Sequence, residues 1–552
     1  MWLLLLELRT PLITLVVTYS ISVLGLVLIP GVTPDGLVYH LSFLDAFYLV
    51  SYTATTIGFG EIPHPFTPSQ KLWMLFVMYS TVIAWLYSIG SVLAVLSDPA
   101  FRRLRSYQRS VSRIHGIKYP YWIVCGFGGA GSQLIRFLDQ SGIRCVMIDS
   151  DVTRADAARL SDLSYELDIL VGDVAEPQTL VDAGVQRALC RGVLALTDQD
   201  QVNLTVATNT RILAPRVPVY ARSATDANTR NLRSFDTEVV IDPLRVAARS
   251  VTQLIRKPNA FALYHELVDP DLNQIDVVDI PISGHWIICA TGRMAETMVE
   301  AFVREQIPFC LVSSTAPESK DDWSWVQGVG TEAQTLREAR IHEAVGIVAG
   351  TNDDGDNLSI LLTAQSENPK LVTVARRNKP TSEPVFGQGH FNFVLREGRI
   401  IAQEMYARIT TPLLHQFLGQ LEIMPEALVD GIIKKLHVRL GAERPELAHF
   451  DLTLDSDEAP GVLPFLHTAM APKLGDLLVD PGLDHLSMPL ICLLLIRLNG
   501  DLVPFPGDGL QLEEGDRLLL WGAMGAHHRL HFLVRREDLF ETVLAARRQT
   551  TA

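Results

Sequence analysis

The chain has 552 residues, and its 47 basic against 62 acidic side chains give a formal charge of −15. That balance excludes the basic footprint of a nucleic-acid-binding protein. With 48% hydrophobic and 20% charged residues there is too much apolar material for disorder to be the main character, and the length gives room for roughly three to four domains. Mean hydropathy is +0.20, high for a wholly soluble chain. Cys125, Cys145, Cys190, Cys289, Cys310 and Cys492 are scattered without a CxxC pair, so buried reduced thiols are expected instead of a disulfide framework or a zinc site.

The apolar excess lies at the N-terminus. Residues 11–29 and 72–96 are free of charge and long enough to cross a bilayer. The first run has neither a basic leader nor a small-residue cleavage pattern, which argues for a span over a signal peptide. Arg102, Arg103, Arg105, Arg109, Arg113 and Lys118 follow the second run and place the C-terminal side in the cytoplasm. Two crossings then return the N-terminus to the same side. Between the spans, residues 41–56 are apolar but short, and Asp45 lies among them, as in a re-entrant segment. This segment runs into Thr55-Thr56-Ile57-Gly58-Phe59-Gly60-Glu61. Irregular backbone at membrane depth survives where protein buries it or where it lines a water-filled cavity. Glycines at 58 and 60 allow carbonyls to turn one way, and four such strands about an axis would present rings of oxygens that replace the hydration shell of a potassium ion.

Thr56-Ile57-Gly58-Phe59-Gly60 resembles the potassium-channel signature TVGYG, in the conventional order of span, pore helix, filter and span. Phe59 stands where tyrosine is usual and Glu61 where aspartate is commoner, so the phenol hydroxyl that the signature tyrosine brings is absent here. In the second span Gly90 resembles the gating-hinge glycine of inner pore helices, while close helix packing explains a glycine there equally well. Ser97-Asp98-Pro99 ends that helix. Asp98 would draw cations to a cytoplasmic mouth, or it marks no more than helix termination at Pro99.

After the basic linker, a strand pattern at 121–125 leads into Gly126-Phe127-Gly128-Gly129-Ala130-Gly131, a helix pattern, and a second strand ending at Asp149. This is GxGxxG in a strand–turn–helix context with an acid about 20 residues on. Gly126 permits the tight turn, Gly128 the approach of a pyrophosphate, and Gly131 the packing of helix on strand. The helix N-terminus would supply N–H groups to phosphate. Asp149 would accept from a ribose diol and disfavour a 2′-phosphate, so NAD or an adenine nucleotide (ADP or ATP) fits better than NADP. Arg154, near the start of the next helix, reads as an exposed arginine before it reads as a phosphate ligand.

A weaker copy follows. Residues 286–295 align with 122–131, Ala290 and Ala295 replacing Gly126 and Gly131, and Ser313 standing in place of Asp149. Gly172-Asp173, Thr197-Asp198 and Ala221-Arg222 have counterparts at Gly328, Thr351 and Ala375-Arg376, so a whole Rossmann-like unit is duplicated. A Rossmann dehydrogenase is favoured by fold statistics alone, but fold does not settle function. His265, His285 and His342 lack the company that a hydride-transfer site needs.

The order of these motifs resembles the regulator-of-potassium-conductance (RCK) domain, also seen in potassium-uptake regulatory subunits. The Asn499-Gly500-Asp501 turn and the Glu514-Gly515-Asp516 ending resemble that family's small ligand-binding lobe. The resemblance implies an α-helical two-span tetrameric pore domain, two α/β Rossmann-like RCK domains and a small C-terminal α+β lobe. The expected plan is a pore domain at 1–98 with pore helix and filter at 43–61, a linker at 99–118, RCK1 at 119–245, a helical connection at 246–282, RCK2 at 283–380, a second connection at 381–450 and the lobe at 451–536. It further implies a non-enzymatic homotetramer in the inner or plasma membrane whose cytosolic domains form an eight-membered gating ring. Potassium would be held at Thr56, Ile57, Gly58 and Phe59, and nucleotide at Gly126, Gly128 and Gly131 with Asp149 and Asp173. Calcium regulation is a weaker implication, with candidate carboxylates Asp198, Asp200, Asp353, Asp354 and Asp356 that serve equally as turn residues. The alternatives are a membrane-anchored nucleotide sensor for a separate potassium transporter, and a membrane-anchored NAD-dependent oxidoreductase.

Overall fold

The computed structural model describes residues 9–61, 64–235, 237–268, 284–317, 323–440, 447–468, 471–480 and 487–551. The expected boundary at 282–283 lies outside these residues. The chain divides into two compact units, one up to Ser112 and one from Arg113 onward.

The first unit is helical. α1 (Arg9–Leu28) and α3 (Pro68–Ser97) are each long and apolar enough to cross a membrane, and α3, at 30 residues, is about 45 Å long. Between them lies α2 (Phe43–Ala54), and beyond Asp98 the chain resumes as α4 (Pro99–His115). α1 and α3 approach closely at Gly25, where a Cβ would stand 2.1 Å from the Trp73 ring. The Trp73 indole N–H also donates to the Ser22 carbonyl at 3.2 Å. Val23, Leu26, Leu49, Val50 and Val77 fill the junction with α2. α2 starts where Ser42 and Asp45 cap each other: the Ser42 hydroxyl accepts from the Asp45 N–H at 3.1 Å and donates to its carboxylate at 2.7 Å.

The second unit holds two parallel sheets of identical order. In the first, β1 (Tyr121–Cys125), β2 (Arg144–Asp149), β3 (Asp168–Val171), β4 (Cys190–Ala195), β5 (Val219–Arg222) and β6 (Val239–Ile241) lie in the order β3-β2-β1-β4-β5-β6. In the second, β7 (His285–Ala290), β8 (Phe309–Ser313), β9 (Ser324–Gln327), β10 (Ala344–Gly350), β11 (Val372–Arg377) and β12 (Phe393–Arg396) lie in the order β9-β8-β7-β10-β11-β12. Strand order reverses beside β1 and beside β7, and such switch points are where open α/β sheets receive ligands. All six cysteines are free and buried, and burial pushes the Cys145 thiol up to about 12 and that of Cys190 to about 11.

The two copies exchange their last helices. With α5 (Gly129–Gln140), α6 (Pro243–Arg256), α7 (Pro258–Val268), α8 (Gly292–Arg304), α9 (Glu397–Thr410) and α10 (Pro412–Ile423) assigned, α6 follows the first sheet but contributes Ala247, Val251 and Ile255 to the core around Trp286, Met298 and Phe302 of the second. α9 follows the second sheet and packs Ile401, Met405 and Tyr406 on Leu134, Phe137 and Leu138 of the first. At the crossing, the buried Glu404 carboxylate meets Arg249 of α6, Arg408 at 3.5 Å and the Tyr264 hydroxyl at 2.9 Å. Burial alone would raise its pKa, but attraction to Arg249 and Arg408 outweighs this and holds it below the usual range.

The C-terminal part forms an antiparallel sheet of β13 (Leu447–Thr453), β14 (Leu490–Ile496), β15 (Leu502–Pro504) and β16 (Arg517–Ala523), ordered β13-β16-β14-β15. The fully buried Asp516 sets the turn before β16, taking Arg497 at 2.6 Å and the Glu513 N–H at 2.9 Å. Asp451 on β13 accepts from the Leu413 backbone at the start of α10, and burial pushes its carboxyl up to about 6 against the pull of that N–H and of Arg517.

Candidate functional sites

The segment after α2 has an unusual backbone. Thr56, Gly58 and Gly60 have φ of +59°, +63° and +75°, so left-handed residues alternate through Thr56-Ile57-Gly58-Phe59-Gly60. For glycine this region is free of penalty; for β-branched Thr56 it is strained by about 1–3 kcal/mol, a cost concentrated at functional sites. Alternation of left- and right-handed residues turns successive carbonyls toward one side, as stacked oxygen rings require. A Cβ on Gly58 or Gly60 would touch nothing, and Ile57 and Phe59 are 61% and 63% exposed, so the segment lies open within a single chain. The C-terminus of α2, the negative end of its dipole, runs directly into it.

The brace behind this segment comes from two tyrosines of α2 that sequence reasoning passed over. Tyr52 of α2 donates its hydroxyl to the Glu61 carbonyl at 3.0 Å, and Tyr48, one turn earlier, reaches the Glu61 carboxylate at 3.4 Å. The Phe59 ring meets the Tyr52 ring edge-on at 6.1 Å. The phenol hydroxyl missing at Phe59 thus has a counterpart on the helix side, and the spacing Tyr48–Tyr52 just ahead of the glycines was its one sequence signal. Gly90 makes no tight contact: a Cβ there has nothing within 4 Å, so packing within the chain does not account for it.

At the first switch point, Gly126 has φ +102°. A Cβ on Gly131 would lie 1.9 Å from the Gly126 carbonyl oxygen, so only glycine fits. Gly128 begins α5 with no side-chain cap, leaving the helix N–H groups free for an anion. A Cβ on Gly128 would face open space and the Asp198 carboxylate, 3.7 Å away at the end of β4. Asp149 is buried at the end of β2; its Oδ2 accepts from the Phe127 N–H at 2.7 Å and its Oδ1 from the Asp151 N–H at 2.8 Å. Each oxygen keeps a lone pair for a hydroxyl. Arg154 is half-exposed, 3.9 Å from Asp149. Asp173 is exposed just past β3, the strand beside β2, and its carboxylate accepts from the Ala175 N–H at 2.9 Å. These residues share one edge of the sheet. The N-terminus of α9 closes on the same loop, where a Cβ on Gly398 would fall 2.6 Å from the Gly129 backbone. Beside it Glu397 pairs with Arg222 at 2.6 Å and with Arg376 at 3.5 Å, one arginine from each copy.

The second switch point is built differently. Arg293 occupies the position of Gly129 and donates to Asp226 at 2.9 Å and to Asp242. Met294 packs against Gly350. The mouth of α8 therefore already has its charge partners within the chain.

Three of the five carboxylates considered for calcium hold their own loops. Asp200 accepts from the Ala224 N–H at 2.8 Å and the Thr225 hydroxyl at 2.9 Å. Asp353 caps its helix through the Gly355 N–H at 2.8 Å. Asp354 takes the N–H groups of Asn378 and Lys379 and the Ser382 hydroxyl; burial opposes its charge, but these bonds prevail and lower its pKa. Among the described residues no group of three or more His, Cys, Asp or Glu side chains is placed to hold a metal ion.

Residues 12–98 match the family model described as ion channel, and residues 122–243 and 286–397 each match that of the TrkA-N domain. The chain thus joins an ion-channel region that holds two membrane-length helices to two Rossmann-like TrkA-N domains. It is 24% identical over 226 residues to Potassium channel protein 1 of Methanocaldococcus jannaschii, covering 41% of this chain and 66% of the relative. It is 26% identical over 203 residues to the voltage-gated potassium channel Kch of Escherichia coli, covering 37% of this chain and 47% of the relative. Both matches span less than two thirds of the relative's own length. Among solved structures it is similar to a GsuK channel bound to NAD, with 19% identity, a TM-score of 0.46 and 99% of each chain covered.

Proposed function

We propose that four copies of this chain form a potassium-selective channel of the inner or plasma membrane, with the TrkA-N domains in the cytoplasm and eight Rossmann-like units in the gating ring. The alternating left-handed backbone at Thr56, Gly58 and Gly60 between two membrane-crossing helices carries this reading. Carbonyls of Thr56, Ile57, Gly58 and Phe59 and the Thr56 hydroxyl replace the water of a dehydrated potassium ion. The α2 dipoles and Glu61 favour cations at the entrance. Gly90 gives α3 a point at which to bend.

A nucleotide, NAD or an adenine nucleotide such as ADP or ATP, binds the first copy. Its phosphates sit at the free N-terminus of α5 over Gly128 and its ribose hydroxyls on Asp149, with Asp173 beside the adenosine. The second copy, with Arg293 held by Asp226 and Asp242, acts as a structural partner. Calcium, which the family resemblance also implies, would draw on Asp198, Asp200, Asp353, Asp354 or Asp356, of which Asp200, Asp353 and Asp354 also hold their own loops. A ligand shifts the gate only by its differential affinity for open and closed rings, so several sites per tetramer add modest differences into a useful bias.

The test is potassium flux through the purified chain in liposomes, with and without NAD and ADP. Flux that excludes sodium and responds to nucleotide is expected. Correctly inserted protein that passes no ion under either ligand refutes the channel. Nucleotide binding without flux would then favour a sensor subunit, and substrate-dependent nicotinamide reduction an oxidoreductase.

A further inference from the structure

The helix that follows the second span is strongly basic and one-sided. α4 carries Arg102, Arg103, Arg105, Arg109 and Arg113 and no acidic residue. Arg102, Arg105, Arg109 and Arg113 recur at spacings of three and four and stand along one side, while Leu104, Val111 and Ile114 fall on the other.

The arginines differ in what they meet. Arg113 pairs with Glu166 at 2.7 Å. Arg102, Arg103, Arg105 and Arg109, nearer the span, are exposed and make no ion pair or side-chain hydrogen bond among the described residues. Leu104 is 47% exposed beside them. This arrangement does not serve the helix itself. Arg102 and Arg103 lie near its N-terminus, where the dipole favours carboxylates. Arg105 and Arg109, four apart, repel each other. Nor does orientation require it, because the positive-inside bias needs charge near a span but no segregated stripe. The chain as a whole is acidic, so the stripe runs against its overall charge.

We infer that Arg102, Arg103, Arg105 and Arg109 bind the phosphate groups of anionic phospholipids in the cytoplasmic leaflet. This rests on the membrane reading of α1 and α3 above. The occupant is fixed by charge complementarity and by position, since α4 resumes directly after the second span ends. Guanidinium forks match phosphate oxygens in pairs. Each basic residue at an anionic surface strengthens attachment by roughly fivefold, so four together contribute on the order of several hundredfold.

The experiment uses the full chain in neutral detergent and measures retained phosphatidylglycerol against phosphatidylcholine. The wild type is expected to retain phosphatidylglycerol selectively and to lose at least about tenfold in retention as salt is raised. The combined variant Arg102→Gln, Arg103→Gln, Arg105→Gln and Arg109→Gln is expected to lose the selectivity. The same four positions changed to lysine, which keeps the charge and controls for folding, should keep most of it, and Arg113→Gln should keep all of it. Equal retention by wild type and the glutamine variant overturns the inference, as does salt-independent retention. Displacement of the lipid by millimolar inorganic phosphate also overturns it, because the site would then be one for a free anion. Lipid retention is read without ion flux, so a chain that binds phosphatidylglycerol yet conducts nothing fails the channel reading and leaves this one standing.

Discussion

Gly128→Asp separates folding from ligand binding at the first switch point. Gly128 has φ −78° and ψ −164°, an extended conformation that aspartate adopts without strain, and its Cβ would meet nothing closer than Asp198 at 3.7 Å. The position is a helix N-cap with no side-chain cap at present, and aspartate is among the best residues there, so α5 gains a few tenths of a kcal/mol over glycine. The same carboxylate takes the N–H groups meant for a phosphate and sets a second negative charge beside Asp198. A phosphate at about 4 Å from one unit charge is repelled by about 4 kcal/mol at an effective dielectric of 20, close to a thousandfold in affinity. Calorimetric titration of the full chain in detergent with NAD and ADP should show this loss, with an apparent Tm close to that of the wild type. Wild-type affinity in a folded Gly128→Asp protein would refute the assignment of phosphates to α5. A large fall in Tm would refute the premise that this position accepts aspartate without strain.

Tyr52→Phe removes the hydroxyl that holds the Glu61 carbonyl, a bond worth about 1 kcal/mol, and should lower the potassium-over-sodium permeability ratio about fivefold in planar bilayers. Glu404→Ala leaves Arg249 and Arg408 without their shared carboxylate where α6 and α9 cross; a loss of about 3–5 kcal/mol should appear as a marked fall in apparent Tm. Asp451 binds its proton more tightly in the fold than in the unfolded chain, so stability falls as pH rises from about 4 to about 6 and the penalty persists above that. Asp451→Asn should flatten this profile and raise stability at neutral pH by about 1–2 kcal/mol, after allowance for solvent screening of a partly exposed group. A profile identical to wild type would show that Asp451 is not the group that titrates.

The sequence disclosed what is periodic or locally forced. Uncharged runs mark α1 and α3, and strand–turn–helix patterns with glycines at 126, 128 and 131 mark the first Rossmann copy. Asp149 could be placed because its distance from those glycines sets it at the end of the neighbouring strand, where the Phe127 N–H reaches it. Partners distant in the chain were not legible. The apolar faces of α6 and α9 announce burial but not which sheet they cover, and that turned out to be the other copy's. Asp198 reads as a turn carboxylate until Gly128 is seen opposite it. Arg293 aligns with Gly129, yet alignment cannot show that its guanidinium reaches Asp226 and Asp242. The closely packed glycine of the spans is Gly25, against Trp73, where the sequence drew attention to Gly90. An indole fitting against a missing side chain some fifty residues earlier leaves no local pattern.

The exchange of α6 and α9 sets an order on biosynthesis. The first sheet is complete once β6 has emerged from the ribosome, but the face of α5 that bears Leu134, Phe137 and Leu138 stays uncovered until residues 397–410 have been made. The nascent chain must therefore carry an apolar surface through synthesis of the whole second copy, while α6 waits in turn for β7 and α8. A chain cut between the copies, by a protease or by a premature stop, is left with one exposed helix face and one orphan helix, a species suited to chaperones or to aggregation. Neither copy can be removed and leave the other whole, so the duplicated units persist or fail together.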